Sequence, residues 1–167
     1  MIPLNRHWQG GTTLVEAMIA AAISALFLGS LFAMNTSSMA TIKMSRDVAC
    51  ASQVLQQRIE SLRIANWHQI TDAVWLCDNI LNVDAAGAGQ LKDASETITL
   101  IPYGSSTSGN TKLTRAGSLA TIVNLNNALL AENALKVIWA VTYTGTPNNR
   151  STTRQTVAIL AKGGVAK

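Results

Sequence analysis

The chain has 167 residues and a formal net charge of +4, with 48% hydrophobic and only 13% charged residues. This length accommodates one modest domain and an additional apolar segment, but not two domains with separate cores. Although the sequence pI is about 9.4, the lysines and arginines are dispersed along the chain. No basic run of the kind that binds nucleic acid is present, so we predict no nucleic-acid partner.

The most informative feature is the junction between a short polar leader and a long apolar stretch. The leader ends in Gly10-Gly11, Glu16 follows a few residues later, and residues 17–34 carry no charge. The 21 residues 14–34 match the length that crosses a bilayer as a helix. Because a carboxylate in such a segment is energetically costly, Glu16 is by default a functional hypothesis.

The positive charge before the apolar stretch favours an N-terminus that stays in the cytoplasm, with the rest of the chain outside it. Two other interpretations remain open. The stretch could be a secretory signal peptide that is cleaved near Ala33, although it is longer than a usual signal-peptide core. It could also be a plain signal anchor in which Glu16 has no particular role.

We expect the helix to continue beyond the apolar stretch, since no proline occurs between Pro3 and Pro102. The Ser/Thr/Asn-rich residues 35–41 weaken helix propensity and allow local bending. Apolar residues then recur at spacings of three and four, which predicts an amphipathic helix. They are Met44, Val48, Ala51, Leu55, Ile59 and Leu62. The expected helix runs from about Thr12 to Asn66, apolar over 12–34 and amphipathic over 35–66.

Residues 67–167 are expected to form a globular domain built on strands. Segments 96–103 and 119–125 are each predicted as a strand, and a hairpin is predicted over 136–161. Its strands are 136–144 and 153–161, joined by turn-forming residues 145–152. Segments 85–90 and 104–118 are predicted as loops. The expected fold class is α+β, with a long N-terminal helix packed on a small antiparallel sheet.

The sequence contains no arrangement of residues that indicates catalysis. Only two histidines occur, His7 and His68, and no nucleophile–base grouping, phosphate-binding loop or metal-ligand cluster can be assembled. We therefore predict no enzyme, no catalytic residue, no metal and no cofactor. A cation site at Asp72, Asp78 and Asp84 is conceivable, but solvated loop carboxylates are the simpler interpretation. Three tryptophans, Trp67, Trp75 and Trp139, are expected to be core or interface anchors.

Cys50 and Cys77 are too few for a disulfide scaffold and wrongly spaced for a zinc site. They could form a disulfide if this part of the chain lies outside the cytoplasm. The alternative is two ordinary buried thiols.

The segment Gly11-Thr12-Thr13-Leu14-Val15-Glu16, followed by an apolar helix, resembles the class III signal of type IV prepilins and type II secretion pseudopilins. The resemblance implies that a prepilin peptidase removes the leader 1–11 between Gly11 and Thr12 and methylates the new amine of Thr12. Residues 57–63 followed by Trp67 are similar to the helix end of PilV-like minor pilins and GspI-type minor pseudopilins. The chain departs from the family in Thr12, where many members have Phe, and in lacking the helix proline of many major pilins.

This resemblance also implies a role for Glu16 and a set of partners. Glu16 of one subunit would neutralise the Thr12 amine of a neighbour, so that only the register pairing both charges is tolerated. The implied partners are the prepilin peptidase, other pilin or pseudopilin subunits and the bacterial inner membrane. The chain would cross that membrane once, with its globular domain periplasmic until assembly places it in an extracellular filament. The alternative is a signal-anchored periplasmic enzyme or binding domain that does not polymerise.

Overall fold

The computed structural model describes residues 13–104, 106–145 and 149–163. The chain divides into two compact units, Met1–Thr41 and Ile42–Lys167. Helix α1, Leu14–Ile64, contributes to both units. Its expected start at Thr12 lies outside the described residues. It ends two residues before the predicted Asn66, because Asn66 instead caps the next helix through a reciprocal capping box with Gln69.

In the first unit, the described residues form one helix whose side chains are almost all exposed. The helix is unbroken through the Ser/Thr-rich residues 35–41. Hydroxyl groups there donate to carbonyl oxygens of the preceding turn, as Thr36 does to Ala33 at 2.9 Å and Ser38 to Met34 at 2.9 Å. Because these hydroxyls are satisfied within the helix itself, the segment remains helical despite its weak propensity.

In the second unit, two short helices follow α1: α2, Trp67–Thr71, and α3, Ala73–Leu76. Asp72 ends α2 and caps α3, since its carboxylate accepts the backbone N–H groups of Val74 and Trp75 at 2.9 and 3.2 Å. A π-helical turn over Cys77–Leu81 continues directly from α3. The predicted loop 85–90 contains a short 3-10 turn, Ala88–Gln90.

The sheet has five antiparallel strands in the order β3-β2-β1-β4-β5. The predicted fold class, α+β with a long helix and a small sheet, is therefore confirmed. Strands β4 and β5 form the expected hairpin, and β1 and β3 coincide with the other two predicted strands. The bounds are β1 Ser95–Pro102, β2 Thr111–Ala116, β3 Leu119–Asn124, β4 Ala134–Gly145 and β5 Arg150–Ala161.

The prediction of a loop over 104–118 was wrong, because that segment contains β2. Although the composition of this segment is polar, it forms a strand that pairs with β1 on one side and with β3 on the other. Thr111, Leu113 and Arg115 alternate onto the buried face of the sheet. Gly117, at φ +69°, makes the tight turn into β3, a conformation that glycine adopts without strain.

The core lies between one face of the sheet and the part of α1 that begins at Cys50. Strand β4 alternates strictly between buried and half-buried residues, as expected for a strand with one face in the core. The predicted stripe on α1 is buried only in part, since Met44 is 54% exposed and Val48 is half-buried. The buried residues of α1 are Cys50, Ala51, Val54, Leu55, Arg58, Ile59 and Leu62.

Two leucines on neighbouring strands test which face of the sheet forms the core. Leu113 is fully buried, whereas Leu119 is 69% exposed. Leu113→Ala should lower the free energy of unfolding by about 2–5 kcal/mol through lost burial and a residual cavity. The matched control, Leu119→Ala, should change it by less than about 0.5 kcal/mol. Denaturant titration of the full chain in detergent, followed by tryptophan fluorescence, measures both; equal effects would contradict this core.

Candidate functional site

Glu16 lies in the first turn of α1, and its side chain is exposed. Thr13 precedes the helix, and its Oγ1 accepts the backbone N–H of Glu16 at 3.3 Å, which satisfies one of the unpaired donors at the helix start. A carboxylate in this position also interacts favourably with the positive end of the helix dipole. The predicted cleavage site, Gly11 and Thr12, lies outside the described residues.

The apolar half of α1 has the length and composition of a membrane-crossing helix. None of the residues in its most apolar window is buried within the described chain. Large side chains on all sides of the helix are 47–77% exposed, including Leu14, Ile19, Leu26 and Phe32. A surface of this kind is compatible with a helix that crosses a membrane.

The second unit contains a buried ionic cluster that the sequence analysis did not identify. Arg58, on α1, is only 2% exposed and lies among the apolar residues that face the sheet. Its Nε and Nη2 donate to the two carboxylate oxygens of Glu96, on β1, each at 2.8 Å. Its remaining donors reach the backbone carbonyls of Ile80 and Val83. The guanidinium is therefore paired and solvated entirely by the protein, as a buried charge requires.

Glu96 is held by three side chains besides its own strand. In addition to Arg58, Trp139 Nε1 donates to Glu96 Oε2 at 3.3 Å, and Arg115 Nη1 lies 3.5 Å from Oε1. The Arg58 guanidinium carbon is 5.9 Å from the centre of the Trp139 ring, within the range of a cation–π contact. Arg115 also forms an ion pair with Asp84 and donates to Val83 and Gly117 carbonyls at 3.2 and 3.0 Å.

The hydrogen bonds of this cluster hold several elements of the second unit together. Every donor nitrogen of Arg58 has an acceptor, and both oxygens of Glu96 are engaged by cationic or indole donors. The effect of the cluster is to connect α1, the segment after the π-turn, and strands β1, β2 and β4.

Cys50 and Cys77, for which a disulfide was one interpretation, are two free buried thiols in the structure. Cys50 Sγ lies 3.5 Å from Gln90 Oε1, within reach of a weak S–H hydrogen bond. Burial raises the pKa of the Cys77 thiol above its usual range, and the adjacent Asp78 carboxylate raises it further. The raised pKa favours the neutral thiol over the reactive thiolate.

The three aspartates considered for a cation site have separate surroundings in the structure. Asp72 caps α3, Asp78 lies in the π-turn, and Asp84 pairs with Arg115. Within the described ranges, no group of three or more His, Cys, Asp or Glu residues is arranged to hold a metal ion.

The described tryptophans act as anchors, as expected. Trp139 is fully buried, and Trp67 Nε1 donates to the Leu130 carbonyl at 3.2 Å. Trp75 is partly buried against the core.

Comparison with known proteins finds no family model, no curated protein and no solved structure that matches the chain.

Two carboxylates provide a test of the buried cluster against an exposed ion pair. Glu96→Gln leaves Arg58 buried without a counter-charge and should lower the free energy of unfolding by about 3–5 kcal/mol. Glu60→Gln removes the exposed pair with Arg63, formed at 2.7 Å, and should cost no more than about 1 kcal/mol. Urea titration of each full-length variant in detergent gives both values. A Glu96→Gln variant as stable as the Glu60→Gln variant would refute the structural role of the cluster.

Proposed function

We propose that the chain is a minor pilin-like or pseudopilin-like subunit that is processed by a prepilin peptidase and assembled into a filament. The observation that carries the proposal is Glu16, a single exposed carboxylate in the first turn of a helix whose next 26 residues, 17–42, carry no charge. The signal-like sequence before it, with Gly11 and Thr12, supplies the cleavage site. The filament is either a type IV pilus or a type II secretion pseudopilus.

The physical argument concerns the charge at the start of the helix. Cleavage after Gly11 would create a cationic amine on Thr12, about one helical turn from Glu16. In a bundle of such helices, an unpaired charge in the apolar layer is costly, so the Glu16 carboxylate of one subunit pairs with the Thr12 amine of another. This pairing selects the axial register, while attraction between helices comes from close packing along small residues. These are Ala17, Ala20, Ala21, Ala22 and Ala25.

The proposal also has support in the second unit. Pilin-like subunits combine a long N-terminal helix with a small antiparallel sheet, and α1 packs its buried residues on a sheet of that size. The apolar half of α1 is suited to a single crossing of the bacterial inner membrane. In this proposal the N-terminus is cytoplasmic, the globular domain is periplasmic before assembly, and the chain has no enzymatic activity.

Processing of the N-terminus tests the proposal directly. The protein is purified from membranes of cells with and without a prepilin peptidase, and its intact mass and N-terminal sequence are determined. We expect a chain that begins at Thr12 only when the peptidase is present. Gly11→Val should abolish this cleavage, whereas the matched control Gly10→Val should be processed. A chain that still begins at Met1 in both strains would indicate a plain signal anchor, and cleavage near Ala33 would indicate a secreted protein.

Glu16→Ala separates assembly from processing. The variant should be inserted and cleaved normally, but its amount in sheared filaments should fall by at least about tenfold, since the register-selecting charge pair is lost. Ser24→Ala is the matched control, because the Ser24 hydroxyl is already bonded to the Ala20 carbonyl of its own helix at 2.8 Å. Normal incorporation of Glu16→Ala would rule out this role for the carboxylate.

A further inference from the structure

Strand β5 leaves one of its two edges open over an unusual length. It pairs with β4 through all 12 of its residues, Arg150–Ala161, without a register shift. None of the described residues pairs with its other edge. An open edge of this kind presents a row of backbone donors and acceptors that can pair with another strand.

The opposite edge of the sheet, at β3, is short and partly blocked. Strand β3 has six residues, and its register with β2 shifts between Lys112 and Leu113. The side chain of Asn82 accepts the backbone N–H of Ala120 at 2.8 Å, which occupies one donor of this strand. The two edges therefore differ, and only β5 offers a long regular edge for pairing.

Three separate hollows lie between α1 and the side of the sheet that faces it, at successive positions along β5, and together they are called the groove here. The first, of about 540 Å³, lies between Met44–Val48 of α1 and residues 150–154 of β5, and Tyr143 and Gly145 of β4 also line it. The second, of about 360 Å³, lies between residues 52–63 of α1 and Gln155–Thr156. The third, of about 270 Å³, lies between residues 62–70 and Leu160–Gly163.

The groove is basic along the strand. Both charged residues of β5, Arg150 and Arg154, line the first hollow, and neither forms an ion pair within the described part of the chain. One carboxylate, Asp47, lines the same hollow. In the second hollow the charges of Glu60 and Arg63 are paired with each other. The strand side therefore carries an excess of positive charge.

We propose that this groove binds an extended, acidic segment of a partner protein, which adds to the sheet as a sixth strand next to β5. Main-chain hydrogen bonds to the β5 edge would supply affinity. Alternate side chains of the added strand point towards α1, where successive hollows receive them, and acidic side chains among them would face Arg150 and Arg154. The interaction does not depend on processing at Thr12 or on filament assembly.

A second copy of this chain fits the edge less well than an acidic partner does. Pairing β5 with its own copy would bring four arginines to one seam, and the strand contains no acidic residue to offset them. Charged residues on an edge strand are a common protection against such self-pairing. The same arginines attract an acidic strand, so they favour an acidic partner for pairing with this edge.

Binding of a synthetic strand tests the proposal with the full-length chain in phosphatidylcholine nanodiscs. The probe is a blocked, fluorescently labelled ten-residue peptide that alternates valine with glutamate, and anisotropy reports its binding. Two peptides serve as controls: one with lysine in place of each glutamate, and one with alternate amides N-methylated, which removes the backbone donors. We expect both controls to bind at least roughly tenfold more weakly than the probe.

Charge-reversal variants locate the site. The double variant Arg150→Glu/Arg154→Glu should bind the glutamate peptide at least roughly tenfold more weakly and bind the lysine peptide better than the unmodified chain does. Lys112→Glu/Lys136→Glu makes the same charge change on the opposite face of the sheet and should leave binding of the glutamate peptide almost unchanged. Hydrogen exchange should show added protection within residues 150–161 when the glutamate peptide is bound.

Four results would overturn the proposal. Equal binding of the N-methylated peptide would show charge attraction without strand pairing. Unchanged binding by the Arg150→Glu/Arg154→Glu variant would mean that no acidic strand binds at β5. The absence of saturable binding by the unmodified chain would mean the same. Protection of the β5 amides in a peptide-free dimer would mean that a second copy occupies the edge. None of these results bears on cleavage at Thr12, so the proposed function is tested separately.

Discussion

The second unit depends on the pairing of Arg58 with Glu96, which connects α1 to the centre of the sheet. Apolar contacts such as those of Val54 and Leu62 have no fixed direction and tolerate small shifts of a helix over a sheet. Two parallel hydrogen bonds of 2.8 Å between a guanidinium and a carboxylate have a fixed direction and do not tolerate such shifts. Since removing either partner leaves an uncompensated buried charge, the pair penalises every other register of α1. We therefore interpret the cluster as the element that specifies how α1 docks.

An uncompensated charge in an apolar environment is costly, and this rule bears on both ends of α1 in different ways. Arg58 is buried in the protein interior, where Glu96 and two backbone carbonyls compensate its charge. Glu16 lies on a helix surface that is exposed in the single chain, and under the proposed function its compensating charge comes from another subunit. In the proposed filament the amine of a neighbouring Thr12 fills this role. One ion pair would then set the register within a subunit and the other would set it between subunits.

Features set by local pattern were predictable from the sequence, and features set by distant contacts were not. The spacing of Ala51, Leu55, Ile59 and Leu62 identified the docking face of α1, and the β4–β5 hairpin followed from its turn residues. Arg58 was missed because its buried partner lies 38 residues away, and periodicity carries no information on such pairs. Strand β2 was missed because Thr111 and Arg115 are polar, yet both lie on the buried face of the sheet. The apolar pattern also marked Met44, although the core extends along α1 only from Cys50.

The treatment of sheet edges connects the fold to the surface that the second unit presents. An antiparallel sheet that does not close into a barrel has two edges, and each must be blocked, charged or paired. At β3 the Asn82 side chain and a register shift reduce the number of backbone groups that a partner could use. At β5 the backbone is regular and the protection is electrostatic, through Arg150 and Arg154. Electrostatic protection is selective, because it repels basic strands and attracts acidic ones. An edge that is protected only by its charge remains available for pairing with a strand of opposite charge.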